Sequence, residues 1–327
     1  MNLYLHIGNH KTGSTAIQSI LESNLEVLRE ADCLYPETGR VKGAHHGIVR
    51  HLKKETESHF SDFIGHKADE DGFNSLVNNL KEECDGYNNI IISSEEFFNY
   101  NSLDIERVKK FLSLFNNTTV ITYLRNQLAH IESSYKFSIS WMHDKECRSF
   151  NEYYKYQTKS SYHRYLPTIE FWELLVDKVE CVCFEENTSF LVGPICKKLG
   201  IANPKEALNL NSVSRNKSPS VLEVVILQKL KAANTASEEI SNIMKKVRSL
   251  IFRDLDAPLM NATFFTFDQY IYSRDLYKES NEIIQKMYGI NLNRHVPDPK
   301  KLRFYDRIKE GKVNDIEELI LYLMELK

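Results

Sequence analysis

The chain has no long apolar run: nothing in its 327 residues approaches the roughly 20 consecutive apolar positions that a membrane-spanning helix needs. Met1 stands directly before the first apolar segment, which leaves no room for the charged and hydrophobic regions of a secretory leader, so a cytoplasmic protein is expected. The six cysteines (33, 84, 147, 181, 183 and 196) include no CxxC pair, which argues against both a zinc site and a disulfide framework. Cys181 and Cys183 alternate within an apolar segment, where they read as small strand fillers. No basic tail or polybasic run is present, and 42 Lys+Arg stand against 45 Asp+Glu, so no nucleic-acid footprint is visible. Internal repeats and low-complexity linkers are also missing. What remains, 42% hydrophobic and 27% charged residues with net charge −3, suits one large domain or a core with a helical annex.

The most informative segment is Tyr4-Leu5-His6-Ile7-Gly8-Asn9-His10-Lys11-Thr12-Gly13-Ser14-Thr15, a short apolar strand running into a glycine-flanked loop and then into a helical pattern. Backbone N–H groups at a helix start are unsatisfied, the helix dipole adds positive character, and the glycines allow close approach, so this is a cradle for an anion. Lys11 and the hydroxyls of Thr12, Ser14 and Thr15 offer further donors, with His10 beside them. The Gly8 to Gly13 spacing matches the phosphate loop of nucleoside triphosphatases, but the lysine that should follow the second glycine is Ser14 here. Farther on, Thr118-Thr119-Val120-Ile121-Thr122-Tyr123-Leu124 reads as a buried strand ending in Arg125, and Ser133 lies eight residues beyond it in a helical run. A guanidinium fork suits a dianionic phosphate.

The loop with its lysine at the crown resembles the 5′-phosphosulfate loop of the sulfotransferases that use 3′-phosphoadenosine 5′-phosphosulfate (PAPS), and Arg125 with Ser133 falls on that family's 3′-phosphate positions. The resemblance implies cofactor contacts from Gly8, His10, Lys11, Thr12, Gly13, Ser14, Thr15, Arg125 and Ser133, with Lys11 stabilising the departing phosphate and no metal required. It departs from the phenol and steroid branch: Ala16 stands where a tryptophan would stack on adenine, and the late Arg-Lys-Gly clamp is missing. Arg215, in Ser214-Arg215-Asn216-Lys217-Ser218, is the nearest basic substitute. These features point toward the bacterial carbohydrate branch and a hydroxyl, or else an amine, of a glycan or glycolipid as acceptor. The rivals are a small-molecule kinase or other phosphate-loop NTPase, and a nucleotide-binding relative without catalysis.

An acceptor hydroxyl must lose a proton, and two places offer a base. One is His45-His46, after Tyr35-Pro36, in an arrangement similar to that of bacterial members of the family. The other is Glu95 or Glu96, following the apolar strand Ile90-Ile91-Ile92. The predicted elements are strands at 3–7, 33–36, 89–93, 120–124 and 179–184, with helices at 14–29, 108–115 and 127–141. Helices then dominate, at 191–199, 221–233, 237–250, 267–288 and 313–326. Buried strands alternating with helices predict an α/β fold with a parallel sheet flanked by helices, and a ligand site where Gly8, Ser93 and Arg125 emerge. The division expected is a core at 1–200 with a mainly helical part at 201–327 packed on it.

Overall fold

The computed structural model describes residues 1–54, 69–140, 148–210, 218–254, 262–296, 298, 300 and 302–304. The helix expected at 313–326 and the residues Cys147 and Arg215 lie outside them. The chain forms two compact units that interleave along the sequence: Met1–Arg125, Arg164–Arg215 and Ser280–Leu292 make the first, and Asn126–His163, Asn216–Glu279 and Asn293–Lys327 the second. This is not a single division near residue 200.

The first unit is built on five strands, β1 (Asn2–His6), β2 (Cys33–Leu34), β3 (Asn89–Ser93), β4 (Asn117–Leu124) and β5 (Lys178–Cys183), all parallel and in the order β2-β3-β1-β4-β5. The central strands are apolar on both faces because helices cover both. Ile90, Ile91 and Ile92 are all buried, each contributing roughly 1.5–3 kcal/mol by leaving water. Side chains alternate along each strand. Ile91, Ile121 and Tyr123 face one layer, where Ile17, Ile20 and Leu21 of α1 (Ser14–Glu22) and Leu28 of α2 (Leu25–Glu30) pack on them. A second aromatic cluster joins Phe97, Phe111 and Trp172, with Phe97 and Trp172 edge to face at 6.0 Å. The remaining helices of this unit before β5 are α3 (His46–Leu52), α4 (Glu70–Cys84), α5 (Ile105–Leu112) and, numbered after two that belong to the second unit, the helix Tyr165–Glu173.

The helix expected over 14–29 is broken in two. Asn24 is the reason: its Nδ2 donates to the Ile20 carbonyl at 2.7 Å, while Asn209 donates its N–H to Asn24 Oδ1 at 2.7 Å. The side chain thus takes a carbonyl inside the α1 helix and ties this corner to a distant loop.

Sheet topology decides where a ligand can sit. From β1 the chain crosses to β2 on one side, whereas β3 leads to β4 and β4 to β5 in the opposite direction. Neighbouring strands whose exits diverge open a crevice beyond their carboxyl ends, here at the end of β1.

The second unit holds α6 (Gln127–Ser140), α7 (Phe150–Gln157) and the helices Val221–Ala232 and Ser237–Asp254. Its core is aromatic and aliphatic. Tyr135 meets Phe150 at 5.2 Å and Phe264 at 5.1 Å, and Val221, Leu222, Val225, Ile226 and Leu230 join the same cluster. The latter residues recur at helical spacing and are core, as their period implies.

Candidate anion site at the carboxyl edge of the sheet

The loop between β1 and α1 is shaped by two glycines for different reasons. At Gly8 a Cβ would lie 2.6 Å from His6 Nε2 and 2.7 Å from Ser14 Oγ, so a side chain there would collide with two buried groups. Gly13 has φ 85°, a left-handed value, and a Cβ there would meet Leu191 Cδ1 at 2.4 Å. Lys11, between them, also adopts a positive φ of 61° at the crown. The loop's own hydroxyls turn inward: Thr12 Oγ1 donates to the Asn9 carbonyl at 2.5 Å and Ser14 Oγ to the same oxygen at 3.4 Å. Thr15 and His10 are exposed. α1 starts with no side-chain cap and no acid in its first turn, so its positive end is not neutralised by its own residues.

Arg125, just past β4, closes on this loop. Its Nη1 donates to the Lys11 carbonyl at 3.0 Å, its guanidinium lies 5.0 Å above the Phe184 ring, and its own carbonyl accepts from Tyr165 Oη at 2.6 Å. Phe184 also lies 3.4 Å from where a Gly13 Cβ would be, so one ring supports both the loop and the guanidinium. Burial lowers the Lys11 pKa, and the Arg125 charge lowers it further. Two cations held together in a partly dry place favour an anion between or above them. Two residues singled out from separate stretches of sequence, Lys11 and Arg125, are therefore brought into one constellation. Ser133 lies on α6, is buried, and belongs to the second unit.

The end of β3 contributes the other groups. In parallel register with His6, Ser93 places its hydroxyl 2.7 Å from His6 Nδ1. Burial pushes the His6 imidazole down to about 4, against a smaller opposing pull from Glu95, so it is neutral near pH 7. Its Nε2 has no hydrogen-bond partner. One residue farther on, side-chain alternation turns Ser94 the other way, and its hydroxyl lies 2.8 Å from His46 Nδ1 at the start of α3. Glu95 accepts from Gln18 Nε2 of α1 at 2.9 Å. Glu96 pairs with Lys53 at 2.8 Å: burial raises its pKa, but the lysine, with smaller help from His10 and His46, leaves it below the ordinary value.

The two adjacent histidines have different situations. His45 is fully buried; its Nδ1 accepts from the Ser93 N–H at 3.1 Å and its Nε2 donates to the Pro36 carbonyl at 2.9 Å. Both ring nitrogens are thus committed to main chain, and burial lowers its pKa to about 4. It splices the end of β3 to the segment after β2. His46 is only partly buried.

Sequence reasoning missed His6, Ser94, Gln18 and Lys53. A signal existed for one of them: the register that puts the ends of β1 and β3 side by side makes any polar residue at the last strand position a neighbour of the loop.

No family model matches the chain, and no solved structure matches it. It is similar to an uncharacterized protein of Archaeoglobus fulgidus, 27% identical over 218 residues, which cover 66% of this chain and 58% of that protein. The chain thus spans less than two thirds of the length of that relative. No helix among the described residues is long and apolar enough to cross a membrane.

Proposed function

We propose that the protein is a PAPS-dependent sulfotransferase that transfers a sulfuryl group to a hydroxyl of a glycan or glycolipid. The observation that supports this reading is the bond between Arg125 and the crown of the loop at Lys11, two residues that the resemblance assigns to nucleotide binding. The residues fit the group: an uncapped helix start, a partly buried lysine and an arginine fork suit a ligand with anionic charge at both ends. The loop N–H groups and Lys11 would hold its 5′ end and Arg125 its 3′-phosphate, and Ser133 is assigned to the nucleotide on the sequence resemblance alone. The nucleotide supplies an activated sulfuryl group on a phosphate leaving group. Lys11, held where leaving-group charge grows, stabilises that charge, as positioned cations do in phosphoryl transfer.

Among the base candidates, His45 is removed by its two main-chain bonds. Glu95 has one oxygen held by Gln18 and lies at the crevice that β1 and β3 open, which suits abstraction of the acceptor proton.

The test is turnover. Incubated with PAPS and a panel of glycans in excess chelator, the protein is expected to release 3′-phosphoadenosine 5′-phosphate, with sulfate appearing on an acceptor. Consumption of ATP that requires magnesium, with none of PAPS, would assign the site to a kinase instead.

A further inference from the structure

The end of β3 determines which nitrogen of His46 carries the proton. Ser94 is fully buried and extended, with φ −158° and ψ 131°, and its N–H donates to the His6 carbonyl at 3.0 Å. Its Oγ accepts the Glu96 N–H at 3.3 Å, capping the single turn Glu95–Phe98. A hydroxyl has one proton and two lone pairs, and a buried one needs a partner for that proton. With one lone pair taken by Glu96 and no water-exposed face, the acceptor within reach is His46 Nδ1 at 2.8 Å. Ser94 therefore donates, Nδ1 accepts, and the hydrogen of the neutral ring sits on Nε2. No acceptor among the described residues takes that hydrogen, and the ring is only partly buried.

We propose that Ser94 is a positioning residue that locks neutral His46 in its Nε2–H form, so that His46 offers a hydrogen-bond donor to an oxygen of an anionic ligand and leaves proton abstraction to Glu95. The tautomer rests on geometry alone; the ligand's part in it rests on the sulfuryl-transfer reading. His45 shows the same logic in closed form: a donor forced onto Nδ1, here the Ser93 N–H, puts the hydrogen on Nε2, which then goes to Pro36. In His46 the corresponding hydrogen has no acceptor among the described residues. Glu95 is the complementary group: Gln18 Nε2 binds its Oε2, and a carboxylate keeps acceptor capacity on its other oxygen.

Glu96, paired with Lys53, interacts electrostatically with His46 and with His10 of the loop. They explain why the ring stands in a polar corner but do not choose between its nitrogens, because none of them is bonded to it.

The test is long-range proton–nitrogen NMR of the uniformly nitrogen-15-labelled full chain, without nucleotide and above neutral pH. His46 is expected to show a protonated Nε2 and an acceptor-type Nδ1, the pattern persisting in Ser94→Thr and giving way to a tautomer mixture in Ser94→Ala. A protonated Nδ1 in the wild type, or a Ser94→Ala spectrum identical to it, overturns the proposal, and the wild-type spectrum decides even if that variant does not fold. The division of roles is read from kcat with PAPS and an acceptor: Glu95→Gln should lose at least about 100-fold, and His46→Gln, which keeps an N–H donor, less than about 10-fold. Equal losses would return the base role to His46. Failure of the nucleotide to bind would remove the sulfuryl-transfer reading while leaving the tautomer result standing.

Discussion

At the scale of single residues, Gly8 shows how a glycine can be required by its neighbours. A methyl there meets His6 Nε2 and Ser14 Oγ, and neither yields cheaply, because His6 is held by Ser93 and Ser14 opens α1. Gly8→Ala is therefore expected to destabilise the fold by about 1–3 kcal/mol, as overpacking does, measured by urea unfolding. Gly86→Ala is the control: Gly86 has a left-handed φ of 85° but nothing within 4 Å, so backbone strain of about 1–2 kcal/mol applies without overpacking and loop binding should not change. Equal unfolding midpoints in Gly8→Ala and wild type would contradict the packing argument. Lys11, Gly13 and Arg125 were legible in the sequence because residue type and order reported them. The inward turn of the Thr12 hydroxyl, and the split between a closed His45 and an open His46, were not. Those depend on which carbonyl or N–H a folded neighbour supplies, and no spacing rule encodes that.

At the scale of elements, strands were read well and helix ends less so. The runs that became β3 and β4 have buried apolar centres, Ile90 to Ile92 and Val120 with Ile121, Tyr123 and Leu124, and these stand out. α4 escaped because its buried positions, Phe73, Leu76, Leu80 and Cys84, form a narrow stripe in an otherwise polar segment. The break after α1 escaped because helix propensity says nothing of Asn209, 185 residues away, whose main chain holds Asn24 in place. Asn24→Ala removes these bonds and leaves the Asn209 N–H partly buried without its acceptor. The expected loss is about 1–3 kcal/mol in a denaturant melt. A variant as stable as wild type would show that the break needs no such tie.

At the scale of the molecule, the two interleaved units were hidden because a periodic pattern reports which face of a helix is buried but not which partner covers it. α6 and α7 stand between β4 and β5 in sequence, yet Tyr135, Phe150, Tyr153 and Tyr154 share a core with Phe264 and Phe265. Stability across pH is also a property of this scale. His6 and His45 in the first unit are pushed by burial to about 4, and His163 in the second, bonded to Gln157 and His130, to about 3. Each is neutral when folded, while an unfolded histidine titrates near 6.5. Above that value neither state binds the proton and these groups are silent. Below it the unfolded chain takes up protons that the folded one refuses. Stability should thus fall between pH 6.5 and about 4, by roughly 1.4 kcal/mol per pH unit for each fully effective histidine. Unfolding midpoints unchanged from pH 7.5 to 5 would contradict the burial of these rings.

The most direct measurement is calorimetric titration of the wild type and Arg125→Ala with 3′-phosphoadenosine 5′-phosphate, AMP, ADP and ATP, without and with magnesium. The predicted result is metal-independent binding that requires the 3′-phosphate and falls at least about tenfold in Arg125→Ala, the loss of one charge-assisted contact. Binding of ATP with magnesium, indifferent to the 3′-phosphate and to Arg125, would contradict the assignment of the loop and Arg125 to a phosphoadenosine nucleotide.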